Sequence, residues 1–116
     1  PKHQEMVRTQ LSFVLEAVIS QQLLVRSDGK GRALACEVML PNAAVRNLIR
    51  EEKTHQIYSQ MQMGQGGHGM LTMNQSLFGL VQSHTISRET AFQYSHDIEE
   101  LNAMFNPSAT SVPKRR

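Results

Sequence analysis

The stretch between residues 22 and 40 constrains this chain most, because its hydrophobic period differs from that of everything around it. Gln22-Leu23-Leu24-Val25-Arg26 and Arg32-Ala33-Leu34-Ala35-Cys36-Glu37-Val38-Met39-Leu40 read as two strands. Ser27-Asp28-Gly29-Lys30-Gly31 between them supplies glycines for the positive-φ positions of a hairpin turn. In the second strand Leu34, Cys36, Val38 and Leu40 share one face, and Ala33, Ala35, Glu37 and Met39 the other. A two-stranded hairpin is marginal by itself. It must therefore lie on helices or extend a sheet whose other strands are outside this sequence.

Helical periodicity flanks the hairpin on both sides. Val7, Leu11, Val14, Leu15 and Val18 predict one long helix over residues 3–21, buried along that stripe. Pro41-Asn42 ends the second strand, and Asn42 is placed to cap a helix running to about Lys53. Thr54 then caps a short helix carrying Ile57, Met61 and Met63, and Gly64-Gln65-Gly66-Gly67-His68-Gly69 forms a loop. Thr72 caps a helix with Met73, Leu77, Leu80 and Val81 on its apolar side. Ser87 caps another, with Glu89 set well against the helix dipole. Asp97 opens a last helix in which Ile98, Leu101, Met104 and Phe105 pack, ended by Asn106-Pro107. The expected class is mostly α with a β-hairpin, α+β as an isolated chain.

Composition narrows the function classes. The formal charge of +2 has a local source, since without Lys114, Arg115 and Arg116 the rest of the chain carries −1. No basic stripe interleaved with aromatics is present, and the Met73 to Gln82 segment has no Lys or Arg to meet phosphates. This argues against a helix-turn-helix nucleic-acid binder over residues 72–95. The single cysteine, Cys36, excludes an internal disulfide and reads as a buried thiol of a reducing compartment. No apolar run reaches bilayer-spanning length and no signal peptide opens the chain, so a soluble, cytoplasmic protein is expected. Pro1-Lys2-His3-Gln4-Glu5 leads almost directly into helix, as expected of a chain that starts inside a larger domain.

Recognised chemistry is sparse. His3, His55, His68, His84 and His96 form no i, i+4 pair and no short ligand spacing with Cys36. The glycines of residues 64–69 follow no strand and precede no Gly-Lys-Ser/Thr, so they do not make a phosphate loop. Asp97, Glu99 and Glu100 are explained by the dipole of a helix first turn. No catalytic, cofactor or metal residue is assigned in this chain. The pattern left standing is the helix after Asn42, on which Val45, Leu48 and Ile49 share one side while Arg46, Asn47, Arg50 and Glu51 share the other.

That helix also carries a resemblance. Ala44-Val45-Arg46-Asn47-Leu48-Ile49-Arg50-Glu51 resembles, with one conservative change, the AIRNLIRE signature of the PilT-type retraction ATPases of type IV pili, and Lys53-Thr54-His55-Gln56-Ile57 continues it. Ala17-Val18-Ile19-Ser20-Gln21-Gln22-Leu23-Leu24, Asp28-Gly29-Lys30-Gly31-Arg32, Glu37-Val38-Met39, Thr72-Met73-Asn74-Gln75-Ser76-Leu77 and Ile86-Ser87-Arg88-Glu89 follow in the family's order, so the likeness covers about residues 1 to 105.

The resemblance implies the C-terminal part of a RecA-like P-loop ATPase domain, downstream of its nucleotide-binding elements. Residues 1–40 are then the end of the RecA-like core, 41–105 a C-terminal helical bundle, and 106–116 a disordered basic tail. It further implies a parent that is a homohexameric, cytoplasmic motor at the inner-membrane base of the pilus machine, using ATP and Mg and working against the platform machinery. This chain alone is not expected to hydrolyse ATP. The family's retraction motif falls on Ala44 to Glu51, whose polar side is expected to engage a neighbouring element. The sequence departs from the family at Glu52, usually Gly, at Val25 and Tyr58, often Pro, at Asn74, often Asp, and at Gln82-Ser83-His84, commonly basic. The competing readings are a non-catalytic helical interaction module and a piece of a related secretion-system ATPase.

Overall fold

The structure is a computed structural model that describes residues 2–63 and 69–107, with nothing said here of the Lys2 side chain. It is helix-rich with a single two-stranded antiparallel hairpin among the described residues. The elements in order are α1 (Lys2–Val14), β1 (Val18–Val25), β2 (Arg32–Met39), α2 (Ala43–Arg50), a 3-10 turn (Thr54–Gln56), α3 (Ile57–Met63), α4 (Met73–Gln82), α5 (Arg88–Tyr94) and α6 (Ile98–Phe105). The tail beyond Pro107 and most of the glycine loop, including His68, lie outside the described residues.

Two compact units divide the chain. The first takes Pro1–Ser20 and Cys36–Thr72, the second Gln21–Ala35 and Met73–Arg116.

In the first unit α1 packs on α2. The helix predicted over 3–21 stops at Val14, and Val18, Ile19 and Ser20 already belong to β1. Val18 fits the helical spacing, but it is β-branched and can join a ladder with β2. The stripe expected to be buried is open as well: Val7 is 59 % and Val14 70 % exposed. Of the predicted stripe only Leu15, just past α1, packs against the core; on α1 itself the side that turns inward carries Arg8 and Ser12, with Ser12 fully buried. A burial reading based on hydrophobicity passes over this side because neither residue is apolar. The unit's core joins Met39, Val45, Ile49, Met61 and Met70, with Leu15, Leu40 and Ile57 against it. Val38 and Leu71 exchange both backbone hydrogen bonds, at 2.8 and 2.9 Å, tying the chain after the loop to β2. Thr54 does not cap a helix with its side chain. It is the first residue of the 3-10 turn, whose preceding residue, Lys53, makes no side-chain cap.

In the second unit the hairpin turn adopts the expected geometry, with Gly29 at φ 72° and Gly31 at φ 94°. The Asp28 carboxylate accepts the Lys30 N–H at 2.8 Å and the Arg26 guanidinium at 3.1 Å, closing the turn from within. The alternation in β2 is present, and its alanine face is the inner one: Ala33 and Ala35 are buried whereas Leu34 is exposed. Small side chains at Ala33 and Ala35 let the strand approach closely the bulky residues packed with them, Leu24, Met73, Leu77 and Leu101. α5 and α6 both pack on α4. Ser87 accepts the Thr90 N–H at 3.1 Å and Asp97 the Glu100 N–H at 3.1 Å, so both predicted caps form. Ile98 does not join the core; it is 56 % exposed, and Leu101 takes the buried place. Cys36 is half-buried rather than fully enclosed.

Candidate functional site

The signature helix α2 is set by its two ends. Pro41 cannot donate to a ladder, and Asn42 behind it accepts the Val45 N–H through Oδ1 at 2.9 Å, which starts the helix. Val45, Leu48 and Ile49 are buried, as their spacing predicts. At the other end, the N–H groups of Lys53 and Glu52 reach back to the carbonyls of Leu48 and Ile49 at 2.8 and 3.3 Å. This is a Schellman closure with Glu52 at φ 61°.

The polar side of α2 does meet a neighbouring element, and within this unit that element is the end of α1. Arg46 extends Nη1 to three backbone oxygens, donating to Ser12 at 2.6 Å, Leu15 at 3.1 Å and Phe13 at 3.3 Å. The last carbonyls of a helix have no intrahelical donor and carry the negative end of its dipole, so a guanidinium there satisfies both needs. One turn further along α2, the Arg50 guanidinium lies 5.4 Å from the centre of the Phe13 ring, a cation–π contact. Past the end of α2, Glu52 pairs with Arg8 at 3.6 Å, while Glu51 pairs with Lys53 at 3.3 Å. Ala44, Asn47 and Glu51 are exposed.

Of the eight motif residues, then, three enter the core, two grip α1 and three face outward. The partners were not singled out by sequence reasoning. Ser12 and Leu15 contribute only backbone carbonyls, which have no residue signature.

No cluster of three His, Cys, Asp or Glu residues able to hold a metal occurs among the described residues. The helix starts at Asn42, Ser87 and Asp97 are closed by their own side chains, with no glycine cradle before them, and no Gly-Lys-Ser/Thr occurs in the sequence. No helix of the described residues is long and apolar enough to cross a membrane.

Comparison with known proteins supplies the context. The chain is 49 % identical over 98 residues to a twitching motility protein of Neisseria gonorrhoeae, covering 84 % of this chain and 26 % of that one. It is 50 % identical over 86 residues to the type IV pilus retraction ATPase PilT of Pseudomonas aeruginosa, covering 74 % of this chain and 24 % of the relative. The crystal structure of the pilus retraction motor PilT with bound ADP superposes with a TM-score of 0.73 at 48 % identity, over 90 % of this chain and 28 % of that one. No family model matches. The chain thus spans about a quarter of the length of the curated relatives it matches.

Over the segment it covers, the fold is that of the C-terminal portion of a pilus motor ATPase. Within that class the chain is a PilT-like segment.

Proposed function

We propose that this chain is the C-terminal segment of a type IV pilus retraction motor, an ATPase that couples hydrolysis to pilus disassembly and twitching motility. The observation that carries this reading is the coincidence of two facts: about half the residues are identical to a pilus retraction ATPase over most of the chain, and the retraction signature falls on α2, where Arg46 bridges to α1. The parent is a cytoplasmic homohexamer at the inner-membrane base of the pilus machine, acting on the platform proteins. ATP and Mg bind in the part of the parent outside this chain, which supplies the phosphate-binding loop that these residues lack. In this segment Val45, Leu48 and Ile49 anchor α2, and Ala44, Arg46, Asn47, Arg50 and Glu51 transmit the motion. The low count of cations on α4 supports a protein partner over a nucleic acid.

The test uses the full-length parent in cells lacking their own retraction ATPase. Arg46→Ala is expected to abolish twitching while leaving ATP affinity nearly unchanged. A large loss of ATP binding in that variant refutes the coupling role, and sub-micromolar, salt-sensitive DNA binding by the wild type refutes the choice of partner class.

A further inference from the structure

Resting on the motor reading above, we infer that the partner on which the polar side of α2 acts is the C-terminal end of α1, so that α1, the turn into β1 and α2 are locked into one moving block. Three observations converge on this contact. Arg46 offers one nitrogen to the carbonyls of Ser12, Phe13 and Leu15, at 2.6, 3.3 and 3.1 Å. The Ser12 hydroxyl cannot serve these carbonyls in its place, because it is turned back to the Thr9 carbonyl at 2.6 Å. Arg50 then stacks on Phe13, the residue between two of the oxygens that Arg46 holds.

A second tie lies farther back along α1, where Arg8 pairs with Glu52 just past the end of α2. The main hold is the Arg46 grip together with the buried Val45 and Ile49 of α2, and the Arg8–Glu52 pair, whose carboxylate is exposed, adds a weaker contact farther back along α1.

The arrangement divides the labour within the motif. Arg46 and Arg50 are positioning residues held on α1, whereas Asn47 and Glu51 are exposed. Lysine cannot replace Arg46 in this role. Its ammonium is a strongly hydrated point charge that lacks the planar fork of the guanidinium.

Hydrogen exchange on the full-length parent, combined with retraction and hydrolysis assays, tests this. Arg46→Lys keeps the charge and most of the stem, which protects against the simple unfolding that Arg46→Ala risks. Amides of residues 12–18 are expected to exchange about 10-fold faster in Arg46→Lys, the equivalent of losing one hydrogen bond to a charged donor. Peptides over residues 88–105 serve as the unchanged reference, and retraction is expected to fall while hydrolysis persists. Lost retraction with unchanged exchange at 12–18 overturns the inference and leaves the motor reading standing, since Arg46 then acts on another partner. Faster exchange with retraction intact also overturns it, because the contact then carries no motion. Loss of ATP binding together with retraction counts against the motor-coupling reading itself.

Discussion

Glu52 and His84 occupy the same place at the ends of two different helices. Each is one residue past the cap, in left-handed backbone, at φ 61° and 59°. The hydrogen bonds agree as well: Lys53 to Leu48 and Glu52 to Ile49 close α2, while Thr85 to Leu80 and His84 to Val81 close α4. Glycine is the usual occupant of this position because a Cβ there crowds the carbonyl. Neither residue has glycine's freedom at positive φ, so each closure is held against left-handed strain.

Glu52→Gly is accordingly expected to stabilise the chain by about 0.5–1 kcal/mol, since the relief of left-handed strain outweighs an exposed ion pair. Glu52→Ala keeps the strain and loses the pair with Arg8, so it is expected to be neutral or slightly destabilising. Urea unfolding of the two variants side by side gives the comparison, and a Glu52→Gly variant less stable than Glu52→Ala contradicts it.

Asn74 is the polar residue on which the second unit most depends. It is 1 % exposed, donates from Nδ2 to the Asp97 carbonyl at 2.9 Å, and accepts the Ser95 hydroxyl at 2.6 Å. Ser95 in turn accepts the Asp97 N–H at 3.2 Å, so the approach to α6 hangs on one amide. Asn74→Ala is expected to cost about 1–3 kcal/mol, because it leaves the part-buried Ser95 hydroxyl and Asp97 carbonyl without their partner. Asn74→Asp loses the donor and places a carboxylate against a carbonyl oxygen. Its deficit should be larger at neutral pH than in acid, where a protonated carboxyl can donate again. Thermal melts at the two pH values read this directly.

The hairpin turn has its own acid sensitivity. The Arg26 guanidinium, and after it the Lys30 N–H, hold the Asp28 carboxyl below the ordinary carboxylate range. A depressed folded pKa means that the turn is supported above the unfolded value and loses that support as pH falls through the folded one. The Asp28 side chain is thus expected to titrate below the ordinary aspartate value by NMR. Arg26→Gln should move it upward; an unchanged midpoint removes the ion pair as the cause.

Where a structural feature depends on a side chain and its near neighbours in the chain, it was legible from residues alone. Asn42, Ser87 and Asp97 cap because their short polar side chains reach a backbone N–H three residues on, and Gly29 and Gly31 turn because they lack a Cβ. The two sides of α2 follow from the same local periodicity.

What the tertiary structure alone decided are the features whose partners are distant or are backbone. The end of α1 moved from residue 21 to Val14 because β2 was available to pair with Val18 and Ile19. Its apolar stripe is open and its Arg8-Ser12 side turned in because α2 packs there. Arg46 reaches three carbonyls that have no counterpart in sequence, since every residue has one. The local code wrote α2 with a polar side; only the placing of α1 beside it determined what that side would hold.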